Sequence, residues 1–215
     1  MTTSTIGDQS LREAVCEGYR DLDRLGLSSG SAGNVSVRCG AGMLISPTGA
    51  TAASVTPQGF VAMTLDGETT SPGKPSSEWA MHAEIYRRAP AAEAVVHAHP
   101  DACVALSCHR RAIPAFHYMI ASFGGDEVPC AAYAPLGTHE LALAAAAVLH
   151  DRNACLLANH GMICHAGSLA EALANALKLE VLARQYILSL QIGPPVLLTA
   201  AEMDVVRERY RSYGR

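Results

Sequence analysis

The sequence predicts a single α/β domain, residues 1–215, in which α-helices cover a central and mostly antiparallel β-sheet. Three observations carry that expectation. Short β-branched or alternating runs closed by tight turns fill residues 34–65, the pattern of adjacent antiparallel strands. Ser-x-x-Glu and Thr-x-x-Glu capping signals introduce helical stretches near both ends of the chain. No internal repeat, low-complexity segment or linker interrupts the 215 residues, enough chain for one sizeable core. Of these residues 49% are hydrophobic but only 5% aromatic; much of the apolar content is alanine, so helices are expected to pack closely through small side chains.

In chain order, Ser10-x-x-Glu13 opens an amphipathic helix with Leu11, Val15, Tyr19, Leu22 and Leu25 at helical spacing, ended by Gly26. Residues 1–9 before it read as flexible. The small-residue loop 27–34 leads into a strand at Val35-Ser36-Val37-Arg38, and Met43-Leu44-Ile45 forms a second. Residues 55–65 continue the strand pattern around Pro57-Gln58-Gly59, with Asp66-Gly67 as a hairpin turn. A helix starts at Ser76 or Ser77 and stops before Pro90. Residues 93–99 read as a strand, and Pro100 sits in the first turn of a helix running to about Cys108. Residues 112–116 are extended, 117–123 form an amphipathic segment stopped by Gly124-Gly125, 128–133 a strand, and 138–150 an alanine-rich helix. The last third holds a strand ending at His160, a return at Met162-Ile163-Cys164, and a long helix capped by Ser168-x-x-Glu171. Gly193-Pro194-Pro195 breaks that helix, and Thr199-x-x-Glu202 caps the last one. Residues 207–215 read as a mobile tail.

A formal net charge of −4, with no run of Lys and Arg, offers no field for a nucleic-acid backbone and argues against such a partner. The longest apolar run, 141–149, is too short to span a bilayer, and residues 1–15 carry no basic-then-apolar leader. A cytoplasmic protein without a membrane partner is expected. The seven cysteines include no Cys-x-x-Cys pair and sit mostly among apolar residues, as small core side chains do.

Residues 74–100 hold the densest chemistry. Ser76-Ser77-Glu78 stands at a helix start, and His97-Ala98-His99 closes an apolar, partly β-branched run. Residues two apart on a strand project from one face, so His97 and His99 form a chelating pair for a divalent ion, zinc being the usual occupant. Such pairs also occur simply as structural histidines at a strand end. A third imidazole favours the metal. Asn159-His160-Gly161 follows the strand-like Ala154-Cys155-Leu156-Leu157-Ala158 and repeats the first pair's geometry, whereas His165 falls in a loop before the next helix. His97, His99 and His160 are therefore the expected ligands of one zinc, with an open position for water or substrate and Glu78 as the neighbouring acid. Gly33-Asn34, Thr48-Gly49 and Ser76-Ser77 offer turn N–H groups, an amide and hydroxyls that suit a phosphate and equally suit ordinary turns.

Read together, Ser31-Ala32-Gly33-Asn34-Val35-Ser36-Val37-Arg38, Ser46-Pro47-Thr48-Gly49, Ser76-Ser77-Glu78-Trp79, Val96-His97-Ala98-His99, His117-Tyr118-Met119-Ile120 and Asn159-His160-Gly161 resemble, in this order, the class II aldolase/adducin family. The likeness runs from about Leu11 to Tyr213. It implies a zinc-dependent lyase, with one Zn2+ per subunit, that reversibly cleaves a ketose 1-phosphate such as L-fuculose 1-phosphate. The products would be dihydroxyacetone phosphate and an aldehyde, L-lactaldehyde. The resemblance implies that His97, His99 and His160 hold the metal, and that Glu78 binds it at rest and acts as proton donor and acceptor. It implies that Gly33, Asn34, Thr48, Gly49, Ser76 and Ser77 bind the phosphate of a small-molecule sugar phosphate. It also implies a homotetramer with active sites at subunit interfaces, Tyr118 reaching into the neighbouring site as a second catalytic residue, and Tyr213 on a tail closing over substrate.

Two positions depart from the family pattern. Leu136 stands where an aromatic residue lines the aldehyde end, and Ala50-Thr51-Ala52-Ala53 is smaller than usual. The same scaffold carries sugar-phosphate 4-epimerases, which tend to have Asp where Glu78 stands, and methylthioribulose-1-phosphate dehydratases, which keep Glu. Non-catalytic adducin-like assembly modules typically lack the histidine triad that is intact here.

Overall fold

The computed structural model describes residues 3–212. Along the chain run α1 (Thr3–Arg24), β1 (Asn34–Cys39), β2 (Gly42–Ile45), β3 (Val61–Met63), α2 (Trp79–Arg88), β4 (Ala94–Ala98) and α3 (Asp101–Ser107). They are followed by β5 (Ile113–Pro114), β6 (Glu127–Val128), β7 (Cys130–Ala131), α4 (His139–Val148), β8 (Ala154–Leu157), β9 (Gly161–Ala166), α5 (Leu169–Ile192) and α6 (Ala200–Ser212). Seven strands form one sheet in the order β3-β2-β1-β4-β9-β8-β7, and β5 pairs with β6 in a small second sheet. Every pairing in the large sheet is antiparallel except that of β7 with β8.

Strand side chains alternate between two faces, and both faces are covered. Val35, Val37, Leu44, Ala94, Val96, Ala154, Leu156, Met162 and Cys164 join one core with α1, α3 and α5. Met43, Ile45, Val95, Cys155, Leu157 and Ile163 join the other with α2 and α4. Because neither face meets water, β4 and β8 read as continuous apolar runs rather than alternating ones. By the same alternation Asn34, Ser36 and His97 lie on the side of α2.

Two of the three capping boxes read from sequence are present: Ser168 Oγ accepts from Glu171 N–H, and Thr199 and Glu202 bond each other reciprocally. The third is not, because α1 begins at Thr3 and Ser10 lies inside the helix. Thr138, not read as a cap, accepts at Oγ1 from Leu141 N–H and caps α4. The helix expected from Ser76 or Ser77 begins at Trp79 with Glu78 at its N-cap, because Ser76 closes a separate turn by accepting from Glu78 N–H at Oγ and from Trp79 N–H at its carbonyl. Residues 117–123 form a 3-10 helix, Tyr118–Phe123, stopped by left-handed Gly124. The strand expected at 128–133 is split at Pro129, which has no N–H for a ladder, and its halves belong to different sheets. Residues 207–212 continue α6, while Tyr213 of the expected tail lies outside the described residues. Among the described residues no helix is long and apolar enough to cross a membrane.

One long-range contact sets the position of α3. Its N-cap is Pro100, which supplies no capping side chain. Buried Glu180 on α5 does so instead: its two carboxylate oxygens accept from Ala102 N–H and Cys103 N–H, each at 3.0 Å. The segment directly after His97 and His99 is thereby anchored to the longest helix. Glu180→Ala is expected to lower unfolding stability by about 2–3 kcal/mol in urea titration, since two buried donors lose a charged acceptor.

Candidate active site

The three histidines meet where β4, β8 and β9 end together. His97 is the fourth residue of β4, opposite Ile163 of β9, and His99 lies just beyond the strand. His160 belongs to the tight turn from β8 to β9, held by its N–H to Leu157 O at 3.0 Å. Asn159 before it is left-handed, φ 53°, a conformation asparagine tolerates better than most residues. Its N–H donates to Ser107 O and its side-chain oxygen accepts from Arg110 Nε at 2.7 Å. Gly161 completes the turn. A Cβ there would lie 2.5 Å from Ala98 O and 2.8 Å from the His99 ring, so only glycine lets β9 pass so close to His99.

The imidazole ring centroids form a triangle with sides of 4.7, 4.8 and 4.8 Å. Glu78, at the N-cap of α2, faces it: Oε2 is 3.1 Å from His97 Nε2 and Oε1 is 3.5 Å from His160 Nε2. One ligand atom from each of the four residues lies within 4.8 Å of the others. His97 Nδ1–H donates to Met162 O at 2.8 Å, which turns Nε2 into the cluster. His97 Nε2 and His99 Nε2 are 2.8 Å apart. Glu78 Oε1 is buried and has no hydrogen-bond partner. An orphaned carboxylate oxygen among converging imidazole nitrogens is the donor set of a divalent cation, so these residues fit a metal.

The electrostatics agree. Burial, then the charges of His97 and His160, pushes the His99 pKa down to about 4, and burial also lowers that of His160, so both rings stay in the neutral, ligating form. Burial alone would raise the Glu78 pKa. The charge and hydrogen bond of His97, the charge of His160 and the Asn34 amide outweigh it and hold the carboxyl well below the usual range.

The candidate phosphate segments reach the same end of the sheet. Asn34 is paired with His97 across β1 and β4, and its side-chain N–H donates to Glu78 Oε2 at 3.0 Å. A Cβ on Gly33, φ 79°, would lie 2.8 Å from His97 O, so this loop too lies directly on β4. Thr48 N–H donates to Lys74 O and Ser76 N–H to Ser46 O, both at 3.0 Å, which aligns Thr48-Gly49 beside Ser76-Ser77. The loop at Gly137 lies against the carbonyl of exposed Ser77, and the preceding Leu136 is 70% exposed. Tyr118 is half exposed and stacks on His117 at 4.7 Å. His165 is inside β9 rather than in a loop, and its Nε2 meets Arg152 O, away from the triad.

Sequence reading missed His82, fully buried between Asn34 and Ser36, and Arg110, which braces the His160 turn. His82 had a readable signal, lying one helical turn after Glu78.

A family model described as Class II Aldolase and Adducin N-terminal domain matches residues 13–187. The chain belongs to the class II aldolase/adducin family. Within that family it is 45% identical over 205 residues to a 5-methylthioribulose-1-phosphate/5-deoxyribulose-1-phosphate aldolase of Rhodospirillum rubrum, covering 95% of this chain and 93% of that one. It is also 45% identical over 195 residues to an L-fuculose phosphate aldolase of Escherichia coli, covering 90% and 91%. A solved L-fuculose 1-phosphate aldolase structure superposes with a TM-score of 0.90 at 34% identity, over 94% of this chain and 96% of that one. The class II aldolase fold and the metal-capable cluster thus occur together in one chain.

Two outcomes follow for the metal-free protein. Burial, aided by the His97 charge, takes the His82 pKa from an ordinary 6.5 to about 3, so below pH 6.5 the unfolded chain binds a proton that the folded one refuses. Stability is therefore complete above that pH and falls as pH drops from 6.5 towards 3, by about 1.4 kcal/mol per unit from His82, with His99 acting in the same direction. Urea titrations in chelator should show this slope, reduced by about one proton in His82→Gln. Gly161→Ala should yield a folded protein depleted of metal by elemental analysis, because His99 must move.

Proposed function

We propose that this protein is a metal-dependent lyase that reversibly cleaves a ketose 1-phosphate between C3 and C4, giving dihydroxyacetone phosphate and an aldehyde. The observation that carries this reading is the convergence of His97, His99 and His160 on Glu78, whose Oε1 is buried and unpartnered. The three imidazoles and Glu78 would hold one Zn2+ per subunit. Bound there, the ion supplies Lewis-acid chemistry to the C2 carbonyl end of the substrate. Gly33, Asn34, Thr48, Gly49, Ser76 and Ser77 bind the phosphate, helped by the positive end of α2. The Asn34 carbonyl is already taken by His82, so its contribution is an N–H or the backbone.

Glu78 moves the proton at C3. At rest it is too weakly basic for that task. A carboxylate that swings away from His97 and His160 keeps its burial but loses the contacts that stabilise its charge, so its proton affinity rises towards the range a base needs. Tyr118, exposed on its own chain, takes the C4 hydroxyl proton in the site of an adjacent subunit, in a homotetramer whose sites lie between subunits. Tyr213 closes the site from the tail. Seven cysteines without a disulfide suit a reducing compartment, the cytoplasm.

The Escherichia coli relative's name supports L-fuculose 1-phosphate as substrate and L-lactaldehyde as the aldehyde. A second reading is favoured by Leu136, an exposed aliphatic residue next to Gly137, whose backbone lies against Ser77, and by the Rhodospirillum rubrum relative. Scission of a 5-deoxypentulose 1-phosphate at the same bond leaves acetaldehyde, or its methylthio derivative.

Metal-loaded protein given dihydroxyacetone phosphate and each of these three aldehydes is expected to condense at least one of them. Failure with all three, or purified protein without stoichiometric divalent metal, overturns the lyase reading in favour of a non-catalytic assembly module. Glu78→Gln should retain metal on the three histidines at stoichiometric loading while losing about 100-fold or more in solvent exchange at C3 of dihydroxyacetone phosphate. Exchange at the wild-type rate removes Glu78 as the base.

A further inference from the structure

Behind Glu78 a chain of polar groups runs away from the triad, between the sheet and α2. Asn34 Nδ2 is 3.0 Å from Glu78 Oε2, and Asn34 Oδ1 is 2.5 Å from His82 Nε2. His82 Nδ1 is 2.7 Å from Ser36 Oγ, which is 2.9 Å from Tyr86 Oη. All five residues are buried, His82 and Ser36 completely. None of these contacts belongs to the metal triad, and sequence spacing predicts none of them.

The direction of every bond follows by elimination. An ionised carboxylate only accepts, so Asn34 turns its N–H towards Glu78 and its carbonyl towards His82. His82 must then donate from Nε2. A neutral imidazole that donates there accepts at Nδ1, so the single Ser36 hydrogen points to His82. Ser36 has no second hydrogen, and Tyr86 O–H donates to it. In a neutral ring, moving the His82 hydrogen to Nδ1 would turn the Asn34 carbonyl on to the Glu78 carboxylate. The chain is therefore polarised from Tyr86 to Glu78, and it ends on Oε2 alone.

We propose that His82 is a positioning residue for Glu78: acting through Asn34, it ties down Oε2 and leaves Oε1 as the oxygen that meets the metal and takes the proton. The inference rests on the ligand and base role proposed above for Glu78. Its chemistry is that of an outer-shell partner, which fixes the orientation of a ligating carboxylate without touching the ion.

The test begins on the unmodified protein. Nitrogen NMR of histidine-labelled protein should show His82 as the neutral Nε2–H tautomer both with and without Zn2+; an Nδ1–H or doubly protonated ring overturns the inference. Zn2+ affinity, measured by competition with a chromogenic chelator, then separates positioning from packing. His82→Asn can reach Ser36 but not Asn34, and should weaken Zn2+ binding about 10–100-fold. His82→Gln still presents an N–H to Asn34 and should restore most of that loss. In an Asn34→Ala background, His82→Asn should cost nothing further, because the two act in series. Should His82→Asn fail to fold, Ser36→Ala removes the hydrogen bond that holds the ring at Nδ1 and should weaken binding in the same direction. Wild-type affinity in Glu78→Gln overturns the ligand role itself. Loss in Glu78→Gln with wild-type affinity in folded His82→Asn, or in Ser36→Ala, overturns only the positioning role.

Discussion

An ionised carboxylate buried against three imidazoles is the constraint on which the rest of this structure depends. Placed alone in such surroundings, Glu78 would take up a proton or carry a desolvation penalty of several kcal/mol. Here Oε2 receives the Asn34 amide and the His97 contact, and Oε1 faces His160 without a hydrogen bond. That half-satisfied state would be a defect in a core. At the meeting point of three imidazole nitrogens it is a donor set that suits a divalent cation.

The sheet supplies the geometry that makes the constraint tolerable. Both faces are covered, so Asn34, Ser36 and His97 point into the layer between the strands and α2, out of contact with bulk water. Two glycines allow the close approaches. Gly33 lies on the His97 carbonyl and Gly161 on Ala98 and His99, and neither position has room for a Cβ. Glu180 holds α3 immediately after the His-x-His strand, and Arg110 braces the turn that carries His160. Each ligand thus comes from an element that is anchored from behind, which is what a site of defined geometry requires.

Electrostatic roles divide between the histidines according to burial. His82 and His99 are desolvated and remain neutral, one as a donor within the protein and the other as a free lone pair. His97 bridges both worlds, with Nδ1 on a backbone carbonyl and Nε2 in the cluster. Chemically identical side chains are given different tasks by which of their nitrogens finds a backbone or amide partner.

Much of this was legible in the residue order. The two-residue spacing of His97 and His99, the turn histidine after 154–158, the capping boxes at Ser168 and Thr199 and the glycine and serine turns are local signals, and local signals survive into the fold because backbone geometry alone enforces them. The split at Pro129 and the strand placement of His165 were not legible, since pairing partners decided them, and the capping pattern at Ser10 misplaced the start of α1. Glu180 as the cap of α3 and the Asn34, His82 and Ser36 chain behind Glu78 were also hidden. Those contacts join residues 78, 44 and 48 positions apart, and which N–H meets which lone pair is settled only when the strand and helix layers close on each other.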